Sequence, residues 1–456
     1  MSKFENLDIP EASEYTLSPE NSEKFTSSPQ KAFEKPKTSD KSLSKSAEII
    51  KREKLVTCNN YASMPTVLCR AEGVYLYDVD GNKYYDFLSG FSSVNQGHCH
   101  PIIVKALTDQ ALVLHQTSRA FHSNILAEYA EYVTKLFGYD AMLPMNTGVE
   151  AAESSVKIAR KWGYKVKKIK ANQAKIIFCE NNFWGRSIAA VSASTDPTAY
   201  DNYGPFVPGF VNIPYDNIER LEAELKDPNV CAFMAEPIQG DAGAIVPSDG
   251  YLRKVRELCT RYNVLYIDDE IQAGLGRTGR RLCVDHENVR PDMVVLGKSL
   301  GGGVYPVSAV LADRHIMDVI EPGTHGSTFS GNPLASKVAM TAIKVIEDEK
   351  LSENAEKMGQ IFRKGLSGLD KCVVDLYRGK GLMNAIVLNR NVDALDFCMR
   401  LKKYGLLTRP SHGNVLRLAP PLVINEEQIK DSIEIFRKVV DEVKVEMRKI
   451  VVKSAL

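Results

Sequence analysis

No run in the chain approaches the ~20 consecutive apolar residues needed to cross a bilayer, so a membrane-spanning helix is not expected. Charge of one sign is also missing. Fifty-eight Lys and Arg stand against 57 Asp and Glu, which leaves no global field to gather nucleic acid or an anionic membrane. The nine cysteines are scattered singly at 58, 69, 99, 179, 231, 259, 283, 372 and 398, with no CxxC pair; neither a disulfide framework nor a zinc ribbon is expected, and no metal is. Internal repeats are lacking, and so is an apolar signal-peptide core. Transit peptides are Arg-rich and poor in acids, whereas residues 1–30 hold six acids and only Lys3 and Lys24. These features predict a cytoplasmic globular protein whose ligands are caught locally.

With 456 residues, 44% hydrophobic and 25% charged, the chain has room for two or three domains. Residues 1–45, rich in Ser, Lys, Glu and Pro and without apolar periodicity, read as a disordered extension. In the segment 46–99, SAEIIKREKL predicts a short helix, and two alternating runs around Asp80-Gly81-Asn82 predict a β-hairpin. From 100 to 345, IIFCE, VCAFMAE, VLYIDDE, MVVLG and VSAVLA alternate with helical patterns. That is the signature of an α/β domain with a mainly parallel sheet covered on both faces. Residues 346–456 mix amphipathic helices with short strands such as MNAIVL and VLRLAP, a smaller α+β domain.

Three motifs invite a function and fall short. Gly297-Lys298-Ser299 resembles the end of a P-loop, but the glycine required five residues before Gly297 is Asp292. Gly274-Leu275-Gly276-Arg277-Thr278-Gly279 matches GxGxxG, yet DEIQA separates it from the preceding strand; a glycine-rich loop with Arg277 exposed or paired to a neighbour is the simpler reading. His98-Cys99-His100 lacks further ligands at metal spacing.

A dispersed set holds together better. Lys298 follows one apolar strand, Asp269 ends another, and Thr147-Gly148-Val149-Glu150 opens a helical run. A helix N-terminus offers free N–H groups and a positive dipole to a phosphate. A desolvated lysine becomes a nucleophilic amine, and a strand-end carboxylate can hold a ring nitrogen protonated. Together these describe a pyridoxal phosphate site. The glycines after Lys298 would let cofactor and substrate exchange places beside the amine.

These residues sit within VNQGHCHP, NTGVEA, NNFWGR, EPIQG, DDEIQAGLGRTG, LGKSLGGGVYPVSAV, HGSTFSGNPL and RLAPPLVI. From about Tyr61 to the C-terminal region the chain resembles the class III, fold-type I pyridoxal-phosphate aminotransferases, most closely the ornithine aminotransferases. The resemblance implies a seven-stranded-type sheet in the large domain and a homodimer with shared active sites. It implies that Lys298 links covalently to pyridoxal 5'-phosphate and moves the proton, that Asp269 binds the ring nitrogen, and that Gln272 binds the phenolic oxygen. Ile271, expected on the strand face of Asp269, would cover one side of the ring and Phe183 the other. Gly148 and Val149 would bind the phosphate; Ser327 and Thr328 would reach the neighbouring subunit's phosphate. Tyr61 would contact the α-amino group of L-ornithine and Arg186 its α-carboxylate, while Arg417 would bind 2-oxoglutarate.

Two positions depart from the family pattern. Asp241, in EPIQGDAG, stands where a glutamate usually masks Arg417, and Phe91 stands where ornithine-selective members carry tyrosine. The implied reaction is ping-pong δ-transamination from L-ornithine to 2-oxoglutarate. Alternatives are an acetylornithine or 4-aminobutyrate aminotransferase, which a looser pocket at Phe91 would favour, and a non-catalytic cofactor-binding interaction protein.

Overall fold

A computed structural model describes residues 44–454. The extension expected through residue 45 lies outside the described residues except for its last two: Ser44 caps and Lys45 opens the helix Lys45–Val56, at the place the sequence pattern predicts one. Three strands follow, β1 (Leu68–Glu72), β2 (Tyr75–Asp78) and β3 (Lys83–Asp86). The hairpin of β2 and β3 is fastened by the Asp78 carboxylate, which accepts hydrogen bonds from the N–H groups of Asp80 and Asn82 at 3.0 and 2.8 Å.

The alternating middle of the chain forms a seven-stranded sheet. Its members are β4 (Ala141–Met145), β5 (Lys175–Cys179), β6 (Phe210–Ile213), β7 (Val230–Ala235), β8 (Leu265–Asp269), β9 (Met293–Leu296) and β10 (Ser308–Ala312). Their spatial order is β4-β10-β9-β8-β7-β5-β6. β10 runs antiparallel to both neighbours; the remaining pairs are parallel. The sequence patterns single out five of the seven, whereas AMLPM, with its proline, and the four-residue FVNI carry little strand signal.

Successive side chains of the inner strands enter two separate cores, as the two-residue period of a strand requires. Phe233, Tyr266 and Val294 point into one and Met234, Ile267 and Val295 into the other. The helix Tyr251–Arg261 covers the first with Leu252 and Val255, and the helix Gly148–Lys165 covers the second with Ala152 and Val156. Each such side chain contributes about 1.5–3 kcal/mol when fully buried. Burial on both faces is why these strands read as unbroken apolar runs.

Toward the C-terminus, β11 (Val374–Lys380) and β12 (Met383–Leu388) form an antiparallel pair; β13 (Leu406–Leu407) lies parallel to β3, joining the N-terminal hairpin's sheet. β14 (Val415–Leu418) pairs with β12, setting Arg417 opposite Ala385. Phe87, Phe362 and Phe436 meet with ring centroids 5.5 to 6.3 Å apart, tying the N-terminal segment to two C-terminal helices. Among the described residues no helix is long and apolar enough to cross a membrane.

Candidate active site

Because β8 and β9 are parallel neighbours pairing Asp269 with Val295, Asp269 and Lys298 emerge at one edge of the central sheet. Lys298 has a φ of +48°. A left-handed conformation costs an L-residue about 1–2 kcal/mol, strain that characteristically sits at functional positions. Enclosed by protein yet open to a cavity, the amine loses hydration. Burial, together with the nearby Arg417 guanidinium, lowers its pKa to about 8, against the pull of Asp269 and Glu236. Burial pushes the Asp269 carboxyl up to about 6, opposed by a hydrogen bond from the Ile271 N–H at 3.0 Å and by Lys298.

Both side chains line a cavity of about 240 Å³. Gly148 and Val149 border it at the start of the helix Gly148–Lys165, whose cap is a reciprocal pair: Thr147 Oγ1 accepts from the Glu150 N–H, and Glu150 accepts from the Thr147 N–H. That cap leaves the Gly148 and Val149 N–H groups without a partner among the described residues, as the geometry of a helix start dictates. Ile271, Phe183 and Gln272 complete the walls. A Cβ on Gly148 would lie 3.1 Å from Ile271 Cδ1, so glycine lets the helix start approach this wall.

A second cavity, of about 600 Å³, adjoins the first through Phe183, Gln272 and Lys298. Tyr61, Phe91, Arg186, Asp241 and Arg417 all line it. Arg417 is buried; its Nη2 donates to Gln272 Oε1 at 2.8 Å, and its guanidinium lies 5.3 Å from the Phe91 ring centroid. Its Nη1 is 3.8 Å from Asp241 Oδ1 and makes no hydrogen bond among the described residues. Phe91 belongs to a turn in which Ser89, Gly90, Phe91 and Ser92 all have positive φ, between 50° and 69°.

Residues 56–440 match the class-III aminotransferase family. The chain belongs to the class III aminotransferases. It is 60% identical over 397 residues to the mitochondrial ornithine aminotransferase of Drosophila melanogaster, covering 87% of this chain and 92% of the fly protein. The crystal structure of the ornithine aminotransferase from Toxoplasma gondii superposes with a TM-score of 0.86 at 47% identity, over 89% of this chain and 97% of that one. The acetylornithine aminotransferase of Elizabethkingia anophelis gives a TM-score of 0.80 at 50% identity, over 87% and 99%. The cytoplasmic expectation finds no support here, since the fly relative is mitochondrial by name.

The residues of this aminotransferase fit its class's cofactor, pyridoxal phosphate, in the smaller cavity. Lys298 is a poorly hydrated amine, Asp269 is a buried carboxylate with no cation hydrogen-bonded to it among the described residues, and two unpartnered N–H groups open a helix.

Two expectations change, those for Ile271 and for the glycines after Lys298, and other residues gain their partners. Ile271 reaches the cavity from a turn beyond the end of β8 and not by alternation along the strand. The glycines after Lys298 line neither cavity. Gly302 and Gly303 have φ of +57° and +76°, and a Cβ on Gly302 would stand 2.9 Å from Ile103, so they serve a left-handed turn and close packing. Arg277 is fully buried and donates to the Leu382 and Pro420 carbonyls and to Asn95, which excludes the exposed alternative. His98 and His100 each meet a carboxylate, Asp86 at 2.7 Å and Glu349 at 2.9 Å. Ser327 and Thr328, expected at a neighbouring subunit's phosphate, line neither cavity of this chain: Ser327 Oγ accepts from Asn146 Nδ2, and Thr328 O accepts from Gln116 Nε2.

Sequence reasoning missed Glu236, Arg409 and His412. Glu236 accepts the Phe183 and Gly240 N–H groups at 3.0 and 3.2 Å, and burial, with Asp269 nearby, pushes its carboxyl up to about 8. Its place directly after the fully buried β7 was a usable signal. Arg409 and His412 enter the larger cavity from the loop before β14, where nothing local marks them.

Proposed function

We propose that this aminotransferase moves the δ-amino group of L-ornithine to 2-oxoglutarate by a ping-pong route, giving glutamate 5-semialdehyde and glutamate. Sequence identity of 52–60% over most of the chain to ornithine aminotransferases carries this reading. When bound, pyridoxal phosphate supplies an electrophilic carbon for the amine and a ring that withdraws electrons.

The chain's own residues do the rest. Lys298 Nζ, with its pKa lowered to about 8, takes and returns the proton at the carbon bearing the transferred amine, near the operating pH as general acid–base work requires. Asp269 holds a proton on the ring nitrogen, and Gln272 orients the ring oxygen. Ile271 and Phe183 clamp the two ring faces, while the Gly148 and Val149 N–H groups bind the phosphate. Tyr61 and Arg186 hold the α-amino and α-carboxylate groups of ornithine, so that the δ-amine points inward. Asp241 neutralises Arg417 during the ornithine half and leaves it to the acceptor's carboxylate in the other. Phe91 shapes the pocket between them.

A homodimer follows from the same reading, with Ser327 and Thr328 serving the neighbouring subunit's phosphate. The exposed side chains of Leu112, Val113, Phe121 and Phe329 support a covered face there. The chain divides into an N-terminal segment (46–99), a large cofactor domain (100–345) and a small domain (346–456).

N-acetylornithine or 4-aminobutyrate as donor is the second reading, favoured by the missing hydroxyl at Phe91. Incubation with each donor and 2-oxoglutarate, followed by product analysis, decides between them. Glutamate 5-semialdehyde from ornithine at the highest efficiency is expected; no turnover of ornithine overturns the proposal. Borohydride trapping with peptide mapping is expected to label Lys298.

A further inference from the structure

The Asp241 carboxylate has two suitors. Oδ1 faces the buried Arg417 Nη1 at 3.8 Å, beyond hydrogen-bond reach, while Oδ2 lies 3.4 Å from His412 Nε2. Arg417 has a 4% exposed side chain, and that of His412 is 54% exposed. The aspartate therefore spans the line between the buried guanidinium and the cavity mouth.

The placement of His412 is built. Ser411 Oγ donates to the Asp241 carbonyl at 2.5 Å, which ties the loop before β14 to the turn carrying Asp241. Within the loop, the Ser411 N–H donates to the Val415 carbonyl at 2.8 Å and the Val415 N–H to the His412 carbonyl at 3.2 Å, so the imidazole hangs from the strand that carries Arg417. Below Asp241, the Gly243 N–H donates to the Gly240 carbonyl at 3.1 Å, and Arg378 Nε donates to the Gly243 carbonyl at 2.8 Å, fixing the backbone of this turn. Side-chain rotation is the motion left to the carboxylate.

We propose that His412 is the second seat of the Asp241 carboxylate: a positioning residue that holds Asp241 off Arg417 while the carboxylate of the amino acceptor occupies the guanidinium. The inference rests on the masking role given to Asp241 above. A carboxylate with nowhere to go returns to the arginine and competes with the acceptor. With its Nε2 protonated the ring donates to Oδ2 and lowers the cost of the unmasked state. That contact is exposed at one end, so its effect is modest, about two- to fivefold in acceptor affinity.

The test uses the cofactor-loaded enzyme and the variants His412→Ala, His412→Gln, Asp241→Ala and Asp241→Ala/His412→Ala, with KM for ornithine and for 2-oxoglutarate measured separately. His412→Ala is expected to raise KM for 2-oxoglutarate about two- to fivefold without a matching rise for ornithine. His412→Gln, which keeps an N–H donor, is expected to restore most of it, and in the Asp241→Ala background removal of the imidazole is expected to change nothing. A merely structural role would move both KM values together. An unchanged acceptor KM, equal shifts for both substrates, or an effect that persists without Asp241 overturns the proposal. Should His412→Ala fail to fold, His412→Phe, which keeps a ring but removes the donor, takes its place, and an acceptor KM that it leaves unchanged overturns the proposal equally. Inactivity of the unmutated protein with ornithine would instead remove the functional reading beneath it.

Discussion

Replacing Asp241 with glutamate tests the mask on Arg417. The added methylene extends the carboxylate by about 1.5 Å. Arg417 Nη1 now stands 3.8 Å from Asp241 Oδ1, about 1 Å beyond a charge-assisted hydrogen bond of ~2.8 Å, so the longer side chain can close the gap. Nη1 is buried with no hydrogen-bond partner among the described residues, and an unsatisfied buried donor costs about 1–3 kcal/mol. Because the aspartate already supplies Coulombic attraction at its present distance, the gain falls in the lower part of that range, about 1–2 kcal/mol. At about 1.4 kcal/mol per tenfold, Asp241→Glu favours the masked state by about five- to thirtyfold. 2-Oxoglutarate must displace the mask, so its KM should rise by that factor while KM for ornithine stays level or falls. Steady-state kinetics with each substrate varied in turn measures both. An unchanged acceptor KM, or a rise shared with ornithine, would refute the idea that this pair is open by one methylene.

Phe91→Tyr adds a hydroxyl at the cavity wall beside Arg417 and should raise the ratio of ornithine to N-acetylornithine efficiency about tenfold, the worth of one hydrogen bond that discriminates substrates; an unaltered ratio in competition assays counts against it. Asp269→Ala should lower turnover at least about a hundredfold while circular dichroism stays that of the parent. In the cofactor-free protein, the Lys298 ammonium has its pKa lowered to about 8, below the ~10.4 of an unfolded chain. The unfolded state therefore binds more protons between those values, and stability should rise with pH across that window. Urea midpoints from pH 7 to 10.5 should show this rise and lose its Lys298 part in Lys298→Met; parallel curves for the two proteins would disprove it.

Much of this architecture can be read from neighbouring residues alone. MVVLG, VLYIDDE and VCAFMAE announce inner parallel strands because burial on both faces demands continuous apolar side chains. The Thr147 to Glu150 start announces a helix because its cap is encoded within four residues. Lys298, Asp269 and Gly148 could be placed at one site from motif chemistry, and all three line one cavity. β4 and β6 are not legible because a proline interrupts the one and an asparagine, disfavoured in strands, breaks the short apolar run of the other. The glycines after Lys298 have the same local signature whether they serve ligand exchange or tight packing, and only the approach of Ile103 to Gly302 distinguishes the two.

Local order thus sufficed for the sheet, the amine and its carboxylate partner, since each depends on residues close in the chain or on strand ends that a parallel sheet must bring together. Long-range packing alone set how far Asp241 stands from Arg417, that His412 lies on its other side, and that Glu236 supports Phe183. The first two join a turn after β7 to β14 and the loop before it, in a separate sheet, and the third joins the end of β7 to the loop after β5; no periodicity within any of these segments records how they come to rest against one another.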